Sequence, residues 1–494
     1  MKKRLKLFLS LLLAIVCTVA MATCKGSDPA PNGNGNGNGN GNGGEETNLS
    51  EQNLIRAIEI ADAAFENHFE GNVMKMARYY NPYTGVRSSE TGSIWMYTAA
   101  IEAVNAILHG LEALKEDGKP MLYNNHFARY SEQLYKLYDA ADYYLGTFSL
   151  RSYTQTKSWS VYAVNRAGAK GGANVTGVLN VYDDQMWLVR EWVEAYRLTG
   201  NAEYLAKAEY LTEYVLDGWD CTRPSAGAEE RGGIPWGPGY VTKHSCSNGP
   251  MVSPLVWLHE IYKDKADETE YRYIDQTDGR TRRSEMRKKS DHYLDFARKI
   301  YAWQKRYLLI PSSGVYDDMM GGCTPGSPST ENVGGVTYRR GITCVDRVGP
   351  PITYNSGSML SGAADLYRAT GEAVYLNDAK DLSDKSFSHF ATLGQTKPGY
   401  YTYDISGFRN WFNGVLMRAY AEIYPSYPNV SVCLKSFQDN LDYGYKYHLY
   451  KHVLPTNLLL GWSHEASNNN VEGMFAFAFA AEYAVLAKYE LIKE

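Results

Sequence analysis

The sequence has little positive charge for its length and no long basic segment. It carries 50 Lys and Arg residues against 55 Asp and Glu residues, which gives a formal net charge of -5 at pH 7. Proteins that bind nucleic acids need a basic surface to neutralise phosphates, so we expect no nucleic-acid partner. The densest basic segment, residues 280–289, also contains Glu285. We interpret this segment as the solvated face of a helix.

Cysteine is also scarce. Seven cysteines occur in the chain, and five of them follow residue 24: Cys221, Cys246, Cys323, Cys344 and Cys433. None of these five forms the closely spaced pairs of a zinc site, so we expect no metal site, and we expect no cofactor. Cys323 and Cys344 would close the shortest disulfide loop, but the sequence leaves the pairing open.

The apolar run at residues 7–22 is too short and too close to the N-terminus for an ordinary membrane-spanning helix. Because it follows several basic residues, it predicts a lipoprotein signal peptide over residues 1–23. Met21-Ala22-Thr23-Cys24 resembles a bacterial lipobox, which predicts lipidation of Cys24. The alternative is ordinary cleavage near Ala22, which would release a soluble periplasmic or secreted protein.

Residues 24–50 predict a flexible tether, because residues 32–44 alternate Asn and Gly almost strictly and offer no apolar side chain for a core. A lipidated cysteine followed by a tether predicts a protein anchored in the bacterial outer membrane. We expect it to contact the membrane through the lipid anchor only. The sequence does not decide between the cell surface and the periplasmic face.

The rest of the chain, residues 51–494, has no second linker and reads as one domain. Strand-like alternation is scarce, and helical periodicity predicts twelve helices. Their predicted starts lie near residues 52, 92, 124, 181, 202, 248, 285, 353, 373, 406, 429 and 469.

An internal sequence repeat identifies the repeating unit as a helical hairpin. The segment at 196–205, Tyr-Arg-Leu-Thr-Gly-Asn-Ala-Glu-Tyr-Leu, reappears at 367–376 as Tyr-Arg-Ala-Thr-Gly-Glu-Ala-Val-Tyr-Leu. Gly200 and Gly371 stand where a helix C-terminus needs left-handed backbone. Six such hairpins predict an all-α fold, an (α/α)6 barrel or six-hairpin toroid, with a cleft formed by loops at one end. An open helical solenoid is the alternative, but a solenoid would show a regular short period.

Two adjacent carboxylates, Asp183 and Asp184, begin the helix predicted near residue 181. Neighbouring carboxylates resist joint ionisation, so one can hold a proton while the other stays charged. That division suits the cleavage of a glycosidic bond, and closely spaced carboxyl groups favour a retaining mechanism over an inverting one. Asp is also a favoured helix-capping residue, so the pair by itself favours a cap over a site.

Five motifs occur in a characteristic order: Tyr-Asp-Asp at 182–184 with a Trp-bearing helix and Ala-Tyr-x-x-Thr-Gly at 195–200, Gly-Gly-Ile-Pro-Trp at 232–236, Thr-Tyr-Asn-Ser-Gly at 353–357, Leu-Tyr-Arg-Ala-Thr-Gly at 366–371 and Trp-Phe-Asn-Gly-Val at 411–415. From about Ser88 to its end, the chain resembles glycoside hydrolase family 76, the endo-α-1,6-mannanases. The resemblance implies an (α/α)6 barrel in which Asp183 is the nucleophile and Asp184 the general acid and base. The residues expected to bind substrate are Tyr182, Trp187, Trp236, Lys243, Asp317, Tyr354, Asn355 and Phe412.

A second Val-Tyr-Asp-Asp string, at residues 315–318, lacks a following helix. The family has an Asp-Gly step at this place. We therefore expect Asp317 to close a turn or to contact the substrate, not to perform chemistry. His244 lies in a polar loop, where substrate contact, capping and simple exposure are all open.

The chain also departs from the family pattern. Where family members carry a Lys-Asn-Ala stretch that ends in Asn-Glu, residues 243–250 read Lys-His-Ser-Cys-Ser-Asn-Gly-Pro, and Asn413 replaces a Lys. Such changes leave a barrel intact but can change which sugar is held. We predict a monomeric, retaining hydrolase of α-1,6-linked mannan. The alternatives are a non-catalytic, glycan-binding surface lipoprotein and a hydrolase of another α-linked oligosaccharide.

Overall fold

The computed structural model describes residues 48–71, 73–321, 328–343, 346–462 and 469–493. The predicted signal peptide, Cys24 and all but the last residues of the predicted tether lie outside the described residues, as do Cys323 and Cys344. Cys221, Cys246 and Cys433 are free thiols.

Helices make up most of the described fold, and they begin close to the predicted starts. The largest differences are four residues, at the sixth, seventh and twelfth helices. The helices are α1 (Leu49–His68), α2 (Ile94–Glu116), α3 (Met121–Ala141), α4 (Tyr182–Thr199), α5 (Ala202–Asp217), α6 (Val252–Tyr262), α7 (Lys289–Leu308), α8 (Thr353–Thr370), α9 (Ala373–Phe390), α10 (Arg409–Ile423), α11 (Ser431–His448) and α12 (Gly473–Lys493).

The two glycines of the internal sequence repeat are located at helix C-termini, as predicted. Gly200 follows α4 and Gly371 follows α8, and both have a φ of 70°. Each backbone N–H bonds back into the last turn, to Tyr196 and Tyr367 respectively. Only glycine adopts this left-handed conformation without a steric penalty, so each glycine ends one helix and lets the next begin two residues later.

The even-numbered helices pack on one another in a closed ring. Helix α2 packs on α4, α4 on α6, α6 on α8, α8 on α10, α10 on α12, and α12 on α2. The odd-numbered helices lie outside this ring, with α3, α5, α7, α9 and α11 each packed on the preceding even helix and α1 packed on α12. Because inner helices have neighbours on two sides, they are apolar nearly all round, and residues 473–484 of α12 are all buried.

Strands are more frequent than the sequence led us to expect, although most are very short. They are β1 (Phe69–Glu70), β2 (Lys75–Met76), β3 (Tyr79–Asn81), β4 (Val86–Arg87), β5 (Leu145–Arg151), β6 (Thr156–Tyr162), β7 (Glu268–Ile274), β8 (Arg282–Lys288), β9 (Met319–Gly321), β10 (Thr330–Val333), β11 (Val336–Arg339), β12 (Asp346–Val348), β13 (Thr392–Leu393), β14 (Tyr401–Thr402) and β15 (Val471–Glu472). The longest form two antiparallel hairpins, β5–β6 and β7–β8.

The basic segment at residues 280–289 belongs to the second hairpin, so its interpretation as a helix face is wrong. Strand β8 pairs with β7 through opposite charges such as Glu268 opposite Lys288. Asp278 closes the turn by accepting the backbone N–H groups of Arg280 and Thr281. An Asp-Gly turn and cross-strand charge pairs stabilise a hairpin without apolar alternation. No helix within the described ranges is long and apolar enough to span a membrane.

Candidate active site at the start of α4

The first turn of α4 presents Asp183 and Asp184. The cap position is Val181, which makes no side-chain cap, and the Tyr182 backbone N–H donates to the Trp236 carbonyl over 2.8 Å. The helix start is therefore held by a neighbouring loop, and neither carboxylate is the N-cap. The partial positive charge at a helix N-terminus favours an ionised carboxylate there.

Burial raises the pKa of both carboxyl groups, but by different amounts. It raises the pKa of Asp183 to about 6, while the Cys246 thiol, the Trp236 indole and the backbone N–H groups of the first turn act in the opposite direction. Asp184 has no such support, so burial and then the charge of Asp183 raise its pKa well above the usual range. At neutral pH, Asp183 is thus the ionised member of the pair and Asp184 the protonated one.

Two buried polar atoms at the pair have no hydrogen-bond partner among the described residues. They are Asp183 Oδ1 and the Trp236 indole nitrogen, Nε1. Buried polar atoms are nearly always paired in folded proteins, and exceptions cluster where a ligand completes the bonding. The Trp236 indole nevertheless interacts with Asp183 and lowers the pKa of that carboxyl group, so these two atoms form one weakly bonded pair.

The loop between α5 and α6 brings a stack of rings to the pair. The Trp236 ring lies 4.5 Å from that of Tyr240 and stacks on His244 at 4.9 Å and 19°. After burial, the charges of Asp183 and Asp184 are the next causes that raise the pKa of Tyr240, whose hydroxyl donates to the Val178 carbonyl at 3.4 Å. Burial lowers the pKa of His244 to about 4, which makes it a neutral ring that supports Trp236.

Lys243 is placed differently from our expectation that it contacts the substrate. It is 2% exposed, and its Nζ donates to Asp220 Oδ2 at 2.8 Å and to the Gly232 carbonyl at 2.6 Å. A third acceptor is the Ile342 carbonyl at 3.3 Å. Because all its donors are engaged by protein, Lys243 holds the loop that carries Trp236 and has no N–H left for a ligand at the open face, the end of the helix ring where Asp183 and Asp184 lie.

Aromatic side chains from three inner helices meet beside the pair. The Trp187 Nε1 donates to the Tyr354 hydroxyl over 2.7 Å, and the Trp187 ring packs at 4.8 Å against Trp411. Trp187 and Tyr354 are each only 3% exposed, so they form the floor beneath the open face. Phe412 is half-buried and stacks on Trp95 at 5.9 Å and 19°.

Tyr182 is packed away from the open face. Its ring is 1% exposed, lies 5.0 Å from Tyr214 and rests directly on Gly218, where even a Cβ atom would meet it at 2.6 Å. Tyr182 therefore fixes the start of α4 against the end of α5, in contrast to the expected contact with a substrate.

The second Val-Tyr-Asp-Asp string also reaches this end of the ring. The Asp317 carbonyl accepts bonds from Ser245 Oγ at 2.6 Å and from Asn355 Nδ2 at 3.2 Å, while the Asp317 carboxylate lies 3.5 Å from Arg347 Nε. Asp318 is the more perturbed carboxyl group, because burial raises its pKa to about 6.

Four further residues belong to the site: Asp318, Cys246, Tyr240 and Trp95. Cys246 lies between two carboxylates, since the charges of Asp183 and Asp318 follow burial as causes that raise its thiol pKa. Tyr240 and Trp95 add half-buried rings. The repeated string was a signal for Asp318, but nothing in the local sequence distinguished Cys246, Tyr240 or Trp95.

A sequence model of glycosyl hydrolase family 76 matches residues 123–267 and 284–432, which is more than half of the chain. The chain belongs to glycosyl hydrolase family 76. The matched ranges of family 76 contain Asp183, Asp184, Asp318 and Phe412, whereas Trp95 precedes them. Strand β7 and the turn that follows it lie between the two ranges.

Solved structures of family 76 proteins share the fold. The family 76 mannosidase Bt3792 from Bacteroides thetaiotaomicron VPI-5482 is 19% identical, with a TM-score of 0.65 over 90% of this chain and 100% of the other. The GH76A alpha-1,6-mannanase from Salegentibacter sp. HEL1_6 is 18% identical, with a TM-score of 0.58 over 89% and 99%. A further structure shows an inactive variant of that mannanase, with two consecutive aspartates changed to asparagine, in complex with alpha-1,6-mannotriose. Among curated proteins, none matches the chain.

Proposed function

We propose that this family 76 protein is a retaining glycoside hydrolase that cleaves α-1,6-linked mannan. The observation that carries the proposal is the pair of buried carboxyl groups, Asp183 and Asp184, whose pKa values are raised unequally. The closed order of the inner helices supports an (α/α)6 barrel, with the pair at the end where the first turns of α2, α4, α8 and α10 meet.

The proposed mechanism is a double displacement. The Asp183 carboxylate attacks the anomeric carbon, and the bond from that carbon to the glycosidic oxygen breaks as Asp184 gives its proton to the departing oxygen. This step leaves a glycosyl ester on Asp183 and a carboxylate on Asp184. Asp184 then takes a proton from water, and the resulting hydroxide displaces Asp183 from the anomeric carbon. Two inversions give net retention.

The substrate assignment is supported by a relative and by the rings around the pair. The related alpha-1,6-mannanase is inactive when two consecutive aspartates are replaced, and that variant holds alpha-1,6-mannotriose. In this chain, Trp236 contacts Tyr240, and Phe412 contacts Tyr354 and Trp95; the rings of Trp236, Tyr240, Phe412 and Trp95 are half-buried. Pyranose rings pack their C–H faces on such aromatic rings.

We further propose that the protein is a monomer held in the outer membrane by lipid on Cys24. The lipobox-like residues 21–24 and the Asn-Gly tether support this location. A tethered enzyme could meet polymeric substrate at the cell surface or on the periplasmic face. Metabolic labelling with a fatty-acid analogue should mark the wild type and not Cys24→Ala.

The proposal is tested by incubating the pure protein with linear α-1,6-mannan. We expect mannooligosaccharides whose newly formed ends are first seen by NMR as the α-anomer. Product sizes distinguish cleavage within chains from release at chain ends. Initial β-anomer would contradict retention. Binding of mannan with no product over days would identify a glycan-binding lipoprotein. If the protein released products only from another α-linked glycan, that glycan would be its substrate. The altered loop at residues 243–250 makes this a specific alternative.

Hydrolysis should slow below about pH 6, because burial raises the pKa of Asp183 to about 6 and a protonated carboxyl group cannot attack. Well below that value, kcat/KM should fall about tenfold per pH unit. The Cys246 thiol lowers the pKa of Asp183. Cys246→Ala should therefore shift this acid limb to higher pH.

Cys433 provides a matched control for the pH profile, because its thiol is also buried but lies on α11. Cys433→Ala should leave the acid limb in place. The role assigned to Cys246 would be contradicted if both alanine variants gave the wild-type profile.

A further inference from the structure

A cavity lies on the outer side of the helix ring, and neither Asp183 nor Asp184 lines it. It has a volume of about 280 Å³ and is bounded by α5, by α7, by the turn between β5 and β6, and by strand β7. We call it the hairpin cavity. Its volume is near the lower end of the range of small-molecule sites, roughly 300–1,000 Å³. None of the residues placed around the carboxylate pair lines it.

Three buried polar atoms that line the hairpin cavity have no hydrogen-bond partner among the described residues. They are the Tyr153 hydroxyl, Asp217 Oδ2 and His292 Nδ1. Tyr153 is 1% exposed and His292 is 7% exposed. The other carboxylate oxygen of Asp217 is engaged by Ser152 and Gln155, each at 2.9 Å. These three atoms are candidates for hydrogen bonds to a bound molecule.

Aromatic rings form much of the remaining wall. The Phe296 ring lies 6.1 Å from Trp219 and 5.9 Å from Tyr271, edge to face in both cases. Tyr210 and Tyr293 also line the space. A wall of rings with a few convergent hydrogen-bonding groups matches the two surfaces of a pyranose, whose C–H face is apolar and whose hydroxyls both donate and accept.

The charged groups of the wall disfavour an anionic ligand. Both cations that line it are paired with carboxylates, Lys289 with Glu209 at 2.6 Å and Arg272 with Glu270 at 2.8 Å. Asp217 has no cation within ion-pair distance among the described residues. The unbalanced charge is therefore negative, which disfavours an anionic ligand.

We propose that the hairpin cavity is a second carbohydrate-binding site, which takes one neutral pyranose residue at the end of a glycan chain. Strand β7 lies between the two ranges matched by family 76, so this wall is an addition of this chain to the family pattern. Asp217 and Trp219 line the inner wall of the cavity, and Gly218, which connects them, packs against Tyr182.

The test uses binding-competent protein that cannot turn over, Asp183→Asn/Asp184→Asn, with D-mannose and α-1,6-mannotriose as probes and D-glucose and D-galactose for selectivity. Hydrogen exchange should be slowed by the bound sugar at residues 150–156 and 268–274, apart from any protection of residues 232–248 at the carboxylate pair. Adding Tyr153→Phe should weaken binding at the hairpin cavity by about tenfold. It should leave the other site unchanged.

Tyr153→Phe removes only a hydroxyl without a partner, so the fold should be retained. Asp217→Asn is a second probe that keeps the oxygen bonded to Ser152 and Gln155. Tyr424→Phe, at the C-terminal end of α10 and outside the cavity, is the matched control and should bind as the parent does. The proposal is overturned if no sugar protects residues 150–156 and 268–274, or if protection occurs and neither probe weakens it. Binding at this site needs no hydrolysis, so the binding result can be interpreted even if the proposed enzymatic activity is not found.

Discussion

Asp183→Asn is expected to reduce hydrolysis of α-1,6-mannan by at least about 10,000-fold, because it removes the group that forms the glycosyl ester. The amide keeps the volume of the carboxyl group but cannot attack the anomeric carbon. The first turn of α4 and its bond to the Trp236 carbonyl involve the backbone, so the geometry of the site should be unchanged. Release of reducing ends measures the loss.

The unfolding temperature distinguishes a loss of catalysis from a loss of folded structure. The folded state holds protons on the pair at a pH where the unfolded chain would release them, so these carboxyl groups cost stability at neutral pH. The asparagine variant should therefore unfold at or above the temperature of the wild type. Retention of more than about a tenth of wild-type activity by a folded Asp183→Asn protein would refute the nucleophile assignment.

The effect of Asp184→Asn should depend on the leaving group. On mannan the rate should fall by roughly 100-fold to 10,000-fold, since the departing oxygen is no longer protonated. With an aryl α-mannoside that has an acidic phenol, glycosylation needs little proton donation and should stay fast. Hydrolysis of the ester should then be slow, and azide, which needs no general base, should rescue it as an α-mannosyl azide. Equal losses on both substrates would contradict the assigned role of Asp184.

The helical part of the fold could be predicted from the sequence because its signals are local. Helices α5, α8 and α9 begin at the predicted residues, and Gly200 and Gly371 end their helices as expected. Each signal depends on a 3.6-residue apolar period or on a conformation that glycine alone adopts readily. The closing contact between α2 and α12 has no local signal and needed the structure.

The two long hairpins were missed for a physical reason. Strand β8 is mostly charged and mostly exposed, so it shows no alternation of apolar and polar residues. Its stability comes from cross-strand pairs and from a turn closed by Asp278, which are interactions with β7 and not properties of β8. A basic segment that leads into a helix therefore had the appearance of a helix face.

The site also has features that the sequence predicted and features that it did not. The motifs predicted that Asp183, Trp236, Tyr354 and Phe412 come to one end of the ring, and the structure brings them together there. The motifs could not show how each side chain is used, because burial depends on residues distant in sequence. Lys243 illustrates the difference, since the acceptors of its Nζ lie at residues 220, 232 and 342.

Lys243→Met should therefore act mainly on stability, lowering the free energy of unfolding by about 3–5 kcal/mol. The substitution leaves the Asp220 carboxylate, which is 0% exposed, without its cation. Among the described residues, only the Ile342 N–H at 2.9 Å and the Thr222 N–H and Oγ1 at 3.2 and 2.5 Å remain as donors to the Asp220 carboxylate. The Gly232 carbonyl also loses its donor, so the loop that carries Trp236 should loosen and KM should rise. Chemical denaturation and initial rates measure the two effects.

The double variant Lys243→Met/Asp220→Asn decides whether the lost stability comes from an uncompensated charge. Removing both charges should recover a large part of the loss, because a buried pair is costly mainly when one partner is left alone. Lys435→Met is the matched control, since Lys435 forms an ion pair with Asp439 at 2.6 Å but its side chain is 71% exposed, and its loss should hardly change stability. If Lys243→Met were as stable as Lys435→Met and impaired only mannan binding, Lys243 would have to leave its buried position and contact the substrate, as its place in the family motif had led us to expect.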